Sequence, residues 1–403
     1  MASTQKSPTR IRDSEVVLAV LAPGQGSQKP GFLTPWLGLA GVEARLNWWS
    51  VLAGVDLVHL GTNADADEIR DTAKTQPLLV AATLVAAEQL PLGDVGVVAG
   101  HSVGEIGAAT LAGVLSPEAA ITLAAVRGRE MAAACALEPT GMSAVLGGDP
   151  DEVIAAVEAA GLYPANRNGA GQVVAAGSLA DLEKFASAPP AKARVIALQV
   201  AGAFHTPYMA PAQMALAAVA GGISPATPKR ILLSNADGAG INDGATMLAR
   251  LVAQVTAPVR WDLCMRTLAD LGVTGIIELA PAGTLAGLAK RELKGTEIVS
   301  LNTPDDLKAA KDLISRHGMA PSHEPTMAFV LAVATVAGTF EPLPDITEGT
   351  PIKAGQVLGH IVTRQGHAEV TAHDSGLLIE WLASHNDPVG PGQPLARIGG
   401  LHS

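Results

Sequence analysis

Apolar runs and amphipathic segments alternate along most of the chain, and the alternation predicts strands followed by helices. The runs that predict strands are 15–22, 97–100, 231–235 and 275–279, and the segments that predict helices are 65–76, 77–89, 117–133, 246–254, 261–271 and 283–288. Strands separated by helices are typical of an α/β fold, in which helices cover both faces of a mostly parallel sheet. We therefore expect an α/β domain over residues 15–316, preceded by a polar tail at 1–14.

The pattern becomes shorter between about residues 138 and 200. Predicted strands at 142–146, 172–176 and 194–199 alternate with predicted helices at 151–160 and 179–186. A compact alternation of this kind indicates a small subdomain of the ferredoxin-like type, inserted into the larger α/β domain.

The character of the chain changes again after residue 300. Residues 305–317 predict a charged helix, and 317–325 form a proline-containing linker. Residues 326–403 favour short strands separated by glycine and proline turns. We expect a second, small all-β domain there.

Composition narrows the class of protein. The chain has 403 residues, of which 48% are hydrophobic and 16% charged, and its formal net charge is −11. No apolar stretch approaches the roughly 18 residues of a membrane span, and the first residues do not form a signal peptide, so we expect a cytoplasmic protein. The acidic balance and the absence of a basic run argue against nucleic-acid binding. Two cysteines without zinc-ligand spacing predict neither a disulfide framework nor a metal site.

A strand-to-helix transition at residues 97–109 carries the clearest chemical pattern. Gly100-His101-Ser102-Val103-Gly104 matches the Gly-x-Ser-x-Gly nucleophile elbow, in which the two glycines let a sharp turn expose the serine. The helix N-terminus that follows favours developing negative charge, and the Val103 N–H is a natural oxyanion donor. The alternative is a glycine-flanked turn serine without chemistry.

Other candidate residues lie on loops and on one helix. The glycine-rich loop at 23–28 lacks the Walker A lysine and the dinucleotide fingerprint, which leaves Gln25 either as a second oxyanion contributor or as a solvent-facing amide. His205 lies on a loop after the predicted insert, and a serine nucleophile requires a neutral imidazole as its base. Arg127 and Arg129 share an alanine-rich helix; either would ordinarily be solvated, although arginine also suits a substrate carboxylate.

Several motifs in order over about residues 17–301 resemble one known family. The motifs are Pro23-Gly24-Gln25-Gly26-Ser27-Gln28, Gly100-His101-Ser102-Val103-Gly104-Glu105, Arg127-Gly128, Asn166-Arg167-Asn168, Gly202-Ala203-Phe204-His205, Gln254 with Pro258-Val259-Arg260-Trp261, and Pro281-Ala282-Gly283. Together they resemble the malonyl-CoA:acyl carrier protein transacylases. The resemblance implies an α/β-hydrolase-like core with a ferredoxin-like insert.

The resemblance also implies a role for each matching residue. Ser102 would be the acylated nucleophile and His205 its base, and Gln25 with the Val103 N–H would form the oxyanion hole. The other implied roles are that Arg127 holds the malonyl carboxylate, Phe204 and Asn168 bind substrate, and the backbone carbonyl of Gln254 orients the histidine. Val103 and Phe204 resemble the malonyl-type rather than the methylmalonyl-type versions of these motifs.

The implied reaction moves malonyl from malonyl-CoA to the phosphopantetheine thiol of acyl carrier protein by a ping-pong route, supplying fatty acid or polyketide synthesis without a cofactor. Two other functions stay open at this point. The first is a serine hydrolase or thioesterase that releases the acyl group to water, and the second is an inactive scaffold.

The last domain resembles a second family. The motifs are 336–340, 348–358, 368–372 and 389–395, and they are similar to those of biotinyl and lipoyl carrier domains, which are flattened β-barrels. The chain departs from that family at the hairpin tip, where Gln365 stands in place of the modified lysine. An amide cannot form the biotin or lipoate linkage, so we expect a module without a cofactor that acts in docking or self-association.

Overall fold

The computed structural model describes residues 17–318, 329–364 and 366–400. The predicted tail at 1–14, most of the linker at 317–325 and Gln365 lie outside the described residues. No helix in the described ranges combines the length and the apolar character needed to span a membrane.

The described part of the first domain alternates strands and helices. Its strands are β1 (Val17–Ala22), β2 (Val97–Gly100), β3 (Thr140–Gly147), β4 (Tyr163–Gly169), β5 (Gln172–Ser178), β6 (Ala193–Ala197), β7 (Ile231–Leu233), β8 (Gly240–Ile241), β9 (Val259–Arg260), β10 (Val273–Glu278) and β11 (Glu297–Ser300). Its helices are α1 (Val42–Ala53), α2 (Leu57–Thr62), α3 (Thr72–Ala87), α4 (Gly104–Leu111), α5 (Pro117–Cys135), α6 (Pro150–Ala159), α7 (Leu179–Ser187), α8 (Ala210–Ala220), α9 (Gly244–Ala253), α10 (Trp261–Asp270), α11 (Thr284–Glu292) and α12 (Leu307–His317).

A six-stranded sheet forms the centre of this domain, with the strand order β11-β10-β1-β2-β7-β8. All neighbouring strands are parallel except β7 and β8. Every residue of β1 and β2 is buried, as expected for strands covered on both faces. Because Ala22 pairs with Gly100, the loop after β1 and the turn after β2 leave the sheet side by side. The α/β expectation is confirmed.

Helix α3 corrects the prediction of a break at Pro77. The sequence predicted separate helical segments at 65–76 and 77–89, whereas α3 runs continuously over Thr72–Ala87 with Pro77 inside it. Asp71 caps its N-terminus by accepting from the Ala73 N–H at 2.9 Å. Nearly every residue of α3 is buried. Tertiary packing therefore outweighs the local cost of a proline in the second turn.

A second sheet has the order β6-β3-β5-β4-β9. Four of these strands come from the segment between about residues 138 and 200, and β9 is added from outside it, parallel to β4. Strand β4 was absent from the sequence prediction because Asn166, Arg167 and Asn168 interrupt its apolar pattern. The pairing with β9 ties this sheet to the chain segment that leads into α10.

The strands of residues 329–400 form two four-stranded sheets. They are β12 (Phe329–Val333), β13 (Gly338–Pro342), β14 (Pro351–Ile352), β15 (Val357–Thr363), β16 (Gly366–Thr371), β17 (Gly376–Trp381), β18 (Pro388–Val389) and β19 (Pro394–Gly400). The sheet orders are β12-β19-β17-β14 and β16-β15-β13-β18. Phe340, Leu358 and Leu395 belong to a shared core that is separate from the α/β core. The loop at Gly392 reaches α1, where a side chain at this position would collide with the Ala44 carbonyl.

Candidate active site

Ser102 sits in a sharp turn between β2 and α4. Its φ is 54°, a left-handed value that is uncommon for a residue with a side chain. The turn depends on the glycines at either side. A Cβ at Gly100 would lie 2.1 Å from the Gly104 carbonyl carbon, and one at Gly104 would lie 2.3 Å from the Ala22 carbonyl oxygen. This local geometry is that of a nucleophile elbow.

His205 connects Ser102 to the backbone of Gln254. Its Nε2 lies 2.7 Å from Ser102 Oγ, and its Nδ1 lies 2.8 Å from the Gln254 carbonyl oxygen. Because a carbonyl only accepts, we assign the proton to Nδ1, which leaves Nε2 free to accept from the serine hydroxyl. Burial, followed by the positive charge of Arg127, lowers the pKa of His205 to about 3. The imidazole is therefore neutral at physiological pH, as a general base must be.

Arg127 brings a buried positive charge to the same serine. Its side chain is 2% exposed. Nη1 donates to Gln76 Oε1 at 2.7 Å, and Nη2 lies 3.0 Å from Gln254 Oε1 and 3.4 Å from Ser102 Oγ. Burial lowers the pKa of Arg127 to about 10, so the guanidinium remains charged at neutral pH.

No carboxylate of the described residues forms an ion pair with Arg127, whose partners are amides and a hydroxyl. A buried cation without a counter-ion is costly, and a bound anion would remove that cost. Arg129, on the same helix, is exposed and pairs with Glu130 at the surface. The residue pattern of the helix did not distinguish these two arginines, whereas the Arg127-Gly128 motif pointed to Arg127.

Two candidate oxyanion groups lie close to the elbow. Across the described ranges, no acceptor takes a hydrogen bond from the Val103 N–H. The loop that carries Gln25 approaches the elbow, since a Cβ at Gly24 would lie 2.6 Å from the His101 carbonyl oxygen. The Gln25 side chain itself points to Thr72, with Nε2 and Oγ1 3.4 Å apart.

Asn168 and Phe204 are both largely buried. Asn168 Oδ1 lies 2.8 Å from His101 Nε2, and its Nδ2 donates to Gln172 Oε1 at 3.2 Å. His101 also packs edge-on against Trp261, with ring centroids 5.6 Å apart. Phe204 is 6% exposed and packs in the main hydrophobic core. In the structure Asn168 thus contacts His101, the residue before Ser102.

Sequence reasoning did not identify three polar residues of this region: Gln76, Glu105 and Asn235. All three are buried. Glu105 and Asn235 carried a usable signal, because one is a lone acid in the first turn of an apolar helix and the other lies two residues after the end of a sheet strand. Gln76 gave no such signal, because only the packing of α3 against α5 brings it to Arg127.

Comparison with known proteins connects this geometry to a family. The family model described as acyl transferase domain matches residues 21–323. The malonyl CoA-acyl carrier protein transacylase of Mycobacterium tuberculosis is 55% identical over 302 residues, which cover 74% of this chain and 100% of the relative. The chain belongs to the malonyl CoA-acyl carrier protein transacylase family.

Solved structures of the transacylase family agree with the fold. The crystal structure of the Mycobacterium tuberculosis enzyme gives a TM-score of 0.72 at 55% identity and covers 73% of this chain and 99% of its own. The transacylase of Escherichia coli K12 is 32% identical over 305 residues, covering 73% of this chain and 99% of the relative. The acyl transferase match ends before β12, so residues 329–400 lie beyond it.

Proposed function

We propose that this chain transfers the malonyl group of malonyl-CoA to the phosphopantetheine thiol of acyl carrier protein in fatty acid synthesis. The observation that carries the proposal is the buried Arg127 guanidinium, which lies 3.4 Å from Ser102 Oγ without a carboxylate partner among the described residues. When Ser102 attacks a malonyl thioester, the free carboxylate of the malonyl group lies only two carbon atoms from the attacked carbonyl carbon. It can therefore reach a guanidinium beside Ser102 Oγ. The relatives' names, malonyl CoA-acyl carrier protein transacylase, support the same substrates.

In the first half-reaction Ser102 Oγ attacks the thioester carbonyl carbon while His205 Nε2 takes the hydroxyl proton. The tetrahedral oxyanion is stabilised by the Val103 N–H and by the backbone N–H of Gln25, since the Gln25 side chain is turned toward Thr72. Collapse breaks the carbon–sulfur bond, and the imidazolium returns its proton to the departing CoA sulfur. The second half-reaction reverses these steps with the carrier-protein thiol as nucleophile, so the kinetics are ping-pong.

The carbonyl of Gln254 replaces the carboxylate of a Ser-His-Asp triad. It holds the Nδ1–H tautomer at 2.8 Å and stabilises the imidazolium by its dipole rather than by a full charge. A carboxylate at this place would compete with malonyl for Arg127, which lies in contact with the same glutamine. The neutral arrangement therefore suits a substrate that brings its own negative charge.

Arg127 is the group that selects a dicarboxylic acyl chain, and Phe204 and Asn168 are assigned to substrate binding with it. An acetyl group leaves the buried guanidinium unpaired. The loss of one partner of a buried charge pair costs about 2–5 kcal/mol. Malonyl is therefore favoured over acetyl at this site.

The proposal includes a division of the chain. The catalytic domain spans 15–316, with a ferredoxin-like insert at about 138–200, a linker at 317–325 and a biotinyl/lipoyl-like domain at 326–403. The order β3-α6-β4-β5-α7-β6 along the chain and β6-β3-β5-β4 in space supports the insert. Two antiparallel four-stranded sheets support the last domain.

The biotinyl/lipoyl-like domain is assigned to docking or self-association and carries no covalent cofactor, because the sequence has Gln365 where the attachment lysine would be. Its hairpin strands are β15 and β16, and Gln365 itself lies outside the described residues. The enzyme is assigned to the cytoplasm, where malonyl-CoA and the carrier protein would both be available.

Intact-mass spectrometry tests the proposed function. Wild-type protein mixed with malonyl-CoA should gain one malonyl-sized increment, which phosphopantetheinylated carrier protein should remove and carry. Ser102→Ala should remain folded, because the substitution removes only one oxygen atom. It should gain no increment, because that oxygen is the one that would carry the malonyl group. Discharge of the adduct to water at the same rate without carrier protein would indicate a hydrolase instead. Absence of any adduct on wild-type protein would indicate a scaffold.

A further inference from the structure

Glu105 is a buried acid that the reaction just described does not use. It lies in the first turn of α4, three residues after Ser102, and is 1% exposed. Oε1 accepts from the backbone N–H of Asn235 at 2.6 Å, and Oε2 accepts from Gln254 Nε2. Each carboxyl oxygen therefore holds a different segment of the chain against the elbow helix.

The first of these segments, at Asn235, forms two hydrogen bonds to the turn that carries Ser102. Asn235 Oδ1 accepts from the Ser102 N–H at 2.8 Å, and Asn235 Nδ2 donates to the Gly100 carbonyl at 2.8 Å. The amide thus bridges the residues on both sides of His101 in the turn. Because Ser102 has a left-handed φ of 54°, outside contacts are needed to hold its backbone in place.

The second segment carries the histidine and arginine contacts. Gln254 Nε2 donates to Glu105 and also lies 3.1 Å from Asn235 Oδ1. With its NH₂ group held there, the amide presents Oε1 to Arg127 Nη2 at 3.0 Å. The backbone carbonyl of the same residue accepts from His205 Nδ1. The acceptor at Glu105 therefore decides which way the Gln254 amide faces.

We propose that Glu105 is a positioning residue that orients Ser102, His205 and Arg127 together, through Asn235 and Gln254. Glu105 does not touch substrate. This proposal depends on the proposed function in one respect, namely that Arg127 binds the malonyl carboxylate. The placement of the serine and its base follows from the contacts alone.

Glu105→Gln is the informative substitution. Glutamine has one oxygen and one NH₂ group, so it can accept from one of the two donors and must turn its own NH₂ toward the other. One segment of the network then loses its acceptor. The side-chain volume is unchanged, so loss of packing does not contribute.

Glu278→Gln is the matched control. Glu278 ends β10, is fully buried, and accepts from the backbone N–H groups of Gly283, Leu285 and Ala286. Its side chain forms no hydrogen bond, within the described ranges, to Ser102, His205, Arg127, Asn235 or Gln254. A merely structural role for Glu105 predicts that the two variants behave alike.

The experiment compares melting temperature, the rate at which a fluorophosphonate labels Ser102, and the malonyl-CoA to acetyl-CoA ratio of kcat/KM. Glu105→Gln should slow labelling by about 10-fold or more and lower the ratio, whereas Glu278→Gln should lower only the melting temperature. Wild-type labelling and an unchanged ratio in folded Glu105→Gln would overturn the proposal.

A second variant covers the case in which Glu105→Gln does not fold. Glu105→Asp keeps both carboxylate oxygens but moves them one methylene away from the Asn235 N–H and the Gln254 amide. Labelling of Ser102 should therefore again be slower than in wild type. A wild-type rate in this variant would equally overturn the proposal. Fluorophosphonate labelling of Ser102 needs no malonyl group. If the wild type failed to transfer malonyl, the proposed function would be rejected, but the labelling rates would still test the role of Glu105.

Discussion

His205 Nδ1 lies 2.8 Å from the backbone carbonyl oxygen of Gln254, and no carboxylate among the described residues bonds to the imidazole ring. A buried histidine held this way has little to stabilise its charged form. Burial and the charge of Arg127 lower its pKa to about 3. Two pH-dependent properties follow.

The first concerns catalysis. His205, the proposed base, is neutral above its lowered pKa, so acidification through the ordinary histidine value of about 6.5 does not protonate it. The single-turnover rate of Ser102 acylation by malonyl-CoA should therefore stay flat from about pH 7 down to about pH 5. Quenched-flow measurement with mass detection checks this, and an acid limb with an apparent pKa near 6.5 would contradict it.

The second concerns stability. Between pH 6.5 and 3 the unfolded chain binds a proton at this histidine and the folded chain does not, so stability falls as the pH falls. Between pH 7 and pH 5, wild type should lose about 2 kcal/mol more unfolding free energy than His205→Gln. Urea unfolding at both pH values measures this difference.

Arg127 and Arg129 provide a matched pair on α5. Arg127→Ala should reduce malonyl transfer by roughly 30-fold to several thousand-fold, the equivalent of about 2–5 kcal/mol, and should narrow the gap between malonyl-CoA and acetyl-CoA. Arg129→Ala should change neither the transfer rate nor the donor ratio, because the Arg129 side chain is 62% exposed and forms its ion pair, within the described part of the chain, with Glu130. Steady-state kinetics with both donors tests this. An unchanged donor ratio in Arg127→Ala would show that another group holds the carboxylate.

Removal of the last domain should leave transfer largely intact. The residues of the candidate site lie in the α/β domain, whose core is separate from that of residues 329–400. Truncation after about Arg316 should keep malonyl transfer to free carrier protein within roughly a few-fold of the full chain. The Gly392 loop would be lost from α1, exposing Trp48, so Trp48→Gln in the truncated chain is a solubility control. Loss of transfer by a folded, soluble truncation would place part of the active enzyme in the last domain.

Local pattern was enough to locate the sharp turn that carries Ser102. A strand, two glycines and an apolar helix around Ser102 lie within a few residues of one another, so the elbow depends on backbone sterics that can be read from the sequence. The alternation of strands and helices likewise predicted the α/β class. Strand β4 was missed because its stability comes from pairing with β5 and β9, which are separate in sequence.

The sequence by itself determined where the turn with Ser102 lies, which segments form the sheet and which residues were candidates for the site. A motif singled out Arg127, but the helical pattern could not show that Arg127 is buried and Arg129 exposed, because burial depends on what α3 and α9 place around that helix. Only the tertiary structure joined Glu105 to Asn235 and Gln254, separated by 130 and 149 positions. The physical reason is that backbone turns are local, whereas hydrogen bonds between buried side chains depend on packing between distant segments.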